Sequence, residues 1–248
     1  MMFQQTIEKL RDLRLNAMKH ELETQINNVN VTELSFEERL GLLVDREWYS
    51  REERRLNQRL KTAKLRQAAS MENIDYRPTR GIDKKQLQEL SSCLWIRSGK
   101  NIIITGPTGA GKTYLACALG EKACREGFSS IYKKVQRFVH ELAISRADGS
   151  YLKLLSQLAK VELLILDDWA LSPLDSQAQQ DILEVIDDRG DHCSTIITSQ
   201  LPIDKWHNML GDPTIADAIL DRILGKAYKI NLEGDTLRRE GNRPKNIE

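Results

Sequence analysis

Along the start of the chain the apolar residues Ile7, Leu10, Met18, Leu22 and Ile26 recur at three- and four-residue steps or sums of them. That spacing predicts an amphipathic helix, because positions three and four apart share one helical face. After an Asn-rich turn at Asn27, Asn28 and Asn30 a second pattern begins, with Phe36, Leu40, Leu43, Val44 and Trp48 on its apolar side. Ser35 with Glu38 three residues on is a capping-box pair, which satisfies early backbone N–H groups reciprocally. Glu- and Arg-rich helical sequence continues to Leu65. The pattern predicts a small all-α domain over residues 1–68. Its periodic apolar residues read most simply as a core, with a partner-binding face as the alternative.

Residues 69–98 read as a linker and connecting helix. Tyr76-Arg77-Pro78-Thr79-Arg80-Gly81 carries the Pro and Gly punctuation of a connector, and a helix is expected from Asp83 to Ile96. From 99 to 248 strand and helix patterns alternate. Strands are expected at Asn101–Thr105, Ser130–Val135, Glu162–Leu166, Ser194–Ser199 and Tyr228–Leu232, with a helix from Lys112 to Arg125 after the first. Such alternation predicts an α/β fold with a largely parallel sheet flanked by helices on both faces.

With 248 residues, 40% hydrophobic and 29% charged, the chain is long enough to bury a core without staples. Cys93, Cys117, Cys124 and Cys193 are scattered without metal-ligand spacing and read as reduced thiols. No apolar run approaches membrane-spanning length and the start is too polar for a signal peptide, so a cytoplasmic protein is expected. The net charge is +1, but it is uneven: Arg46 to Arg66 holds eight basic residues against three acidic, and Arg222 to the end seven against four. Such patches suit phosphate contacts or, as blandly, a solvated face.

Gly106-Pro107-Thr108-Gly109-Ala110-Gly111-Lys112-Thr113 fits the phosphate-loop pattern G-x-x-x-x-G-K-[ST]. Glycines let successive N–H groups turn toward phosphate oxygens, and the following helix directs its positive end there. Lys112 is placed for the β- and γ-phosphates of ATP, and the Thr113 hydroxyl for Mg2+. The apolar strand Leu163-Leu164-Ile165-Leu166 then ends in Asp167 and Asp168. Asp167 is expected in the magnesium shell and Asp168 beside the attacking water; a plain helix cap is the duller reading. Gln200, after the fourth strand, can orient that water. Arg222 and Arg238 are the arginines left to contact phosphates.

In this order the motifs resemble the AAA+ ATPases, within them the group of DnaC-type helicase loaders, and most closely the IstB-type transposition helper ATPases of bacterial insertion sequences. The resemblance covers almost the whole chain. It is carried by residues 10–18 (Leu-Arg-Asp-Leu-Arg-Leu-Asn-Ala-Met), 166–171 (Leu-Asp-Asp-Trp-Ala-Leu) and 199–206 (Ser-Gln-Leu-Pro-Ile-Asp-Lys-Trp). The most specific run is Gly211-Asp212-Pro213-Thr214-Ile215-Ala216-Asp217-Ala218-Ile219-Leu220-Asp221-Arg222.

The resemblance implies an ATPase that binds duplex DNA with ATP, self-associates on it, and recruits or stimulates a transposase. It makes Gln200 a sensor-1 residue, Arg222 an arginine finger reaching a neighbour's ATP, and Arg238 a sensor-2 arginine. Two departures follow: the short tail implies no C-terminal lid domain, and Asp168 stands where the wider class has Glu, implying slow hydrolysis. Rival readings are a helicase loader, a P-loop small-molecule kinase and a DNA-binding protein that never hydrolyses ATP. Candidate DNA contacts are Arg51, Arg54, Arg55 and Arg59 on the basic helix and Lys133 and Lys134 at the second strand. Phosphate rather than base contacts are expected, since nothing resembles a base-reading module.

Overall fold

The computed structural model describes residues 2–28, 34–75 and 80–234. The chain divides into two compact units, Met1–Gln58 and Arg59–Glu248. The division falls inside a helix, ten residues before the expected boundary at 68. The reason is local: Ala63 is fully buried and Arg59 Nε donates to Cys124 O, 2.8 Å away, so 59–68 belong with the larger unit.

The smaller unit holds α1 (Met2–Asp12), α2 (Asn16–Asn27) and most of α3 (Phe36–Ala63). The single helix expected from Ile7 to Ile26 is two, because the chain turns at Arg14, which adopts a left-handed φ of 58°. Leu15 N donates to Leu10 O and Arg14 N to Arg11 O, the 6→1 and 5→2 pair that closes a helix around a left-handed residue. The capping box forms as expected: Ser35 N donates to Glu38 Oε2 (2.8 Å) and Glu38 N to Ser35 Oγ (3.3 Å).

The expected apolar core does not form. Phe36, Leu40, Val44 and Trp48 are exposed, Phe36 at 73%. Among this unit's described residues Ile7, Gln25 and Glu47 are the buried ones. α2 is tied to α3 by hydrogen bonds instead: Glu47 Oε2 accepts from the amides of Ala17 (3.0 Å) and Met18 (3.2 Å), and Gln25 Nε2 donates to Arg39 O (3.3 Å). Periodicity assigns residues to one face of a helix; it does not say what covers that face.

The larger unit contains α4 (Lys84–Ser91), α5 (Leu94–Arg97), β1 (Asn101–Thr105), α6 (Lys112–Arg125), β2 (Ser130–Lys134), α7 (Val135–Ala147) and α8 (Tyr151–Ala159). After these come β3 (Leu163–Trp169), α9 (Ser176–Arg189), β4 (Ser194–Ser199), α10 (Trp206–Leu210), α11 (Pro213–Leu224) and β5 (Ala227–Asn231). The strands form one parallel sheet in the order β2-β3-β4-β1-β5. Their near-continuous apolar runs follow from burial on both faces. Ile102, Ile104, Leu163 and Ile165 pack with α4, α5 and α6, while Ile103, Leu164 and Leu166 pack with α7 to α11.

β1, β4 and α6 have the predicted bounds, and β2 and β5 differ by a residue. The helix expected over 83–96 is interrupted at Cys93, whose φ of 57° separates α4 from α5. β3 runs three residues past its expected end, through an irregularity between Leu166 and Trp169 that lets Trp169 pair with Ser199. Arg238 lies outside the described residues, as do the tail on which the expectation of no lid rests and the connector residues 76–79.

Candidate nucleotide site

The phosphate loop leaves the carboxyl end of β1 and enters α6 through Gly106, Gly109 and Gly111, at φ of 144°, 87° and 97°. Gly106 is obligatory on a second count: a Cβ there would lie 2.3 Å from Leu232 O. Lys112 is buried, and its Nζ donates to Gly106 O (2.7 Å) and Pro107 O (2.8 Å), so the ammonium sits inside the curl of its own loop. Thr113, one residue into α6, has its hydroxyl 3.0 and 3.1 Å from the two carboxylate oxygens of Asp167.

Asp167 is fully buried near the end of β3 and gathers four donors. Besides Thr113 these are Tyr132 OH (2.5 Å), Thr198 Oγ1 and Arg66 Nη1 (3.4 Å). Burial, and then the hydrogen bond to Asp167, push the Tyr132 phenol well above its ordinary pKa and keep it a donor. Arg66 is held more firmly protonated, first by its hydrogen bond to Tyr132.

The irregularity in β3 gives Asp168 a left-handed φ of 61°. Its amide donates to Thr198 Oγ1 (3.2 Å), and its carboxylate pairs with Lys134 Nζ at 2.9 Å and Arg66 Nη1 at 4.0 Å. Gln200, just past β4, accepts from Thr108 Oγ1 at 2.7 Å. Thr108, Lys112, Thr113, Asp168 and Gln200 line one cavity of about 690 Å³, within the size range of small-ligand sites.

The residues fit ATP and Mg2+. A hydroxyl and a carboxylate, both hard oxygen donors, already converge where the helix after the loop begins, and magnesium completes such a shell with phosphates and water. The loop is a cradle that a side chain would fill, with a buried ammonium in it.

Arg222 is not part of this group. It lies in the last turn of α11, where Asn101 Nδ2 donates to Arg222 O (3.3 Å) and Ile223 O (3.0 Å). Asn101 begins β1 and the phosphate loop follows its end, so a strand's length of roughly 13 Å separates them. The Arg222 guanidinium pairs with Asp187 and donates to Ala218 O (2.9 Å).

The run from Gly211 sets this helix. Gly211 turns at φ 90°, the Asp212 carboxylate accepts from the amides of Thr214 and Ile215 (2.9 and 3.1 Å), and Pro213 occupies the first turn.

All six suggested DNA contacts have partners inside the chain. Arg51 pairs with Glu47 (2.8 Å) and Arg55 with Glu52 (2.5 Å), while Arg54 donates to Ser50. Arg59 caps the carboxyl end of α6, Lys133 pairs with Glu141 (2.5 Å), and Lys134 holds Asp168. Sequence reasoning missed Arg66, Tyr132 and Thr198 as partners of Asp167. No local signal marked Tyr132: it shares a face of β2 with Lys134, and only the register that sets Lys134 against Asp167 brings it near.

Residues 8–244 match the family model for the IstB-like ATP binding protein. The chain is 48% identical over 238 residues, 96% of it and 97% of the other, to a protein of Sinorhizobium fredii assigned as an insertion-sequence ATP-binding protein. It is 49% identical over 203 residues, 82% and 88% of the two chains, to one so assigned in IS1162 of Pseudomonas fluorescens. Among solved structures, AMPPCP-bound DnaA from Aquifex aeolicus aligns with a TM-score of 0.58 at 22% identity, over 69% of this chain and 52% of that one, a likeness of fold. Motif, fold and relatives agree: the chain belongs to the IstB-like ATP-binding proteins of insertion sequences, and its larger unit has the AAA+ fold.

Proposed function

We propose that this protein is an ATP-dependent helper of transposition: with ATP it assembles on duplex DNA and recruits or stimulates a transposase, and slow hydrolysis dismantles the assembly. The observation that carries the reading is the separation of Arg222 from the chain's own phosphate loop by the length of β1. An arginine so placed serves a neighbour's nucleotide better than its own, which makes ATP the joint between copies. The assignment of the 48% identical relative to an insertion sequence supplies the biological setting.

In this reading the loop amides and Lys112 hold the β- and γ-phosphates. Thr113 and Asp167 hold magnesium, which offsets phosphate charge. Asp168 and Gln200 orient the attacking water. Asp168, shorter by one methylene than the Glu expected of its class, reaches less far toward that water, in keeping with a switch rather than a motor.

The test is binding to random-sequence duplex DNA with ATP, with ADP and without nucleotide, with particle size read in the same samples. ATP-dependent multimers on arbitrary duplex are expected, and Lys112→Ala should not form them. Absence of duplex binding in every nucleotide condition, or assembly of Lys112→Ala on DNA equal to the parent's, would sink the proposal.

A further inference from the structure

Beside the nucleotide cavity, on the far side of a shared wall, lies a second cavity of about 470 Å³. Lys64, Arg66, Tyr132, Lys133, Lys134 and Arg137 are among its lining residues, so five of these six are basic. Glu141, also in the lining, pairs with Lys133, and Arg66 and Lys134 pair with Asp167 and Asp168, which leaves Lys64 and Arg137 as the cations in excess. Arg66 and Lys134 line both cavities and reach the carboxylates of Asp167 and Asp168 across the wall. Lys64 and Arg137 are exposed and make no ion pair among the described residues.

The backbone brings these cations together from distant parts of the sequence. Lys64 follows the last residue of α3 in a left-handed conformation, φ 49°, a position that suits glycine better than lysine. The turn there lets Leu65 pack against the core and Arg66 reach Asp167. Lys134 ends β2 and Arg137 lies in the first turn of α7. A concave surface with exposed, unpaired cations is suited to backbone phosphates.

We propose that this groove is where the sugar–phosphate backbone of duplex DNA lies, with Lys64 and Arg137 as the freely available contacts. Arg66 and Lys134 are the shared groups through which backbone contact and the site carboxylates communicate. The inference rests on the duplex-binding reading above and assigns it a surface distinct from the basic face of α3.

The experiment compares the parent with Lys64→Gly/Arg137→Gln on a fluorescent random-sequence duplex across a salt series with a nonhydrolysable ATP analogue and Mg2+. Glycine is chosen at 64 because it removes the charge in a conformation glycine favours. A second variant, Lys153→Gln/Lys160→Gln, removes two exposed lysines elsewhere. Binding of a fluorescent nucleotide and thermal unfolding verify that each variant is folded. The groove variant is expected to bind duplex at least roughly tenfold more weakly near 0.1 M salt, with the slope of log K against log salt reduced by about 1.8, and unchanged nucleotide affinity. Parent-like duplex binding by the groove variant, or an equal loss in the lysine control, overturns the groove while leaving the functional reading in place. A parent that binds no duplex in any nucleotide condition overturns both.

Discussion

The Thr108 hydroxyl donates to Gln200 Oε1 across 2.7 Å, fastening the tip of the phosphate loop to the end of β4. Gln200 and Thr108 both line the nucleotide cavity, and the bond ties the Gln200 side chain to the phosphate-loop residue. Gln200→Ala is expected to slow ATP hydrolysis roughly ten- to hundredfold, the range for losing one polar group that orients a reactant, with ATP affinity changed less than about threefold. Steady-state turnover and equilibrium nucleotide binding together check this. A fall in affinity as large as the fall in turnover would mean that Gln200 merely shapes the loop.

Arg222 and Lys112 belong to different sites if the arginine acts between copies. Arg222→Ala and Lys112→Ala should each lose DNA-stimulated hydrolysis when alone. Mixed in equal amounts they should recover a measurable share, because one interface in the mixed assembly pairs an intact phosphate loop with an intact arginine. The readout is phosphate release from the mixture against each variant alone. No recovery at any ratio, with both variants still entering the assembly, would rule out a role in trans.

Gly211 has no space for a side chain: a Cβ would meet Gln179 Nε2 at 2.4 Å, on a backbone at φ 90°. Gln179 cannot swing away freely, since its Nε2 donates to Leu174 O (2.8 Å) and its Oε1 accepts from Asp212 N (3.1 Å). Gly211→Ala is expected to cost about 1–3 kcal/mol of stability and to disturb the capped start of α11. Since that helix carries Arg222, hydrolysis within the assembly should fall while binding of a fluorescent nucleotide to the isolated chain holds. Denaturant unfolding and the two functional assays separate these effects.

Glu47 gives the smaller unit a sensitivity to acid. Burial works to raise its carboxyl pKa, but hydrogen bonds from Arg51 and from the Met18 and Ala17 amides outweigh it and hold the group below its ordinary value of 4.5. With the folded pKa below the unfolded one, the stabilisation is complete above the unfolded value and is lost as pH falls through the folded one. Glu47→Gln is expected to destabilise the folded chain by about 1–2 kcal/mol at neutral pH, since charge-assisted bonds become neutral ones. The gap between parent and variant should close on acidification below about pH 4.5. A gap in thermal unfolding that stays constant from neutral to acid pH would remove Glu47 as the cause.

The parts of the fold legible in the sequence were those written locally. The isoleucine run of β1 and the glycines after it define a strand, a loop and a helix start within a dozen residues, and all three are found there. The partners of Asp167 are the opposite case. Arg66 lies 101 residues away and arrives through the left-handed turn at Lys64, which no residue type announced. The break at Cys93 was hidden for the same reason, because cysteine carries no preference for that conformation. The outward-facing Phe36 and Trp48 show a different gap: a helical pattern reports which side chains align, and their covering depends on neighbours that no spacing encodes.

If Arg222 serves the nucleotide of a neighbouring copy, as proposed, its placement one strand length from its own phosphate loop carries an arithmetic consequence. A contact that joins one end of a sheet to the other end of the next is head-to-tail, so it has polarity and leaves two unlike ends unless it closes on itself. In any open row built this way, n copies contain n − 1 completed sites. One terminal copy holds its nucleotide without a neighbour's arginine and therefore keeps it longest, while the other offers an arginine to nothing. Such a row has a nucleotide-retaining end and an arginine-bearing end, and a process that reads only one of them can tell direction along otherwise featureless DNA.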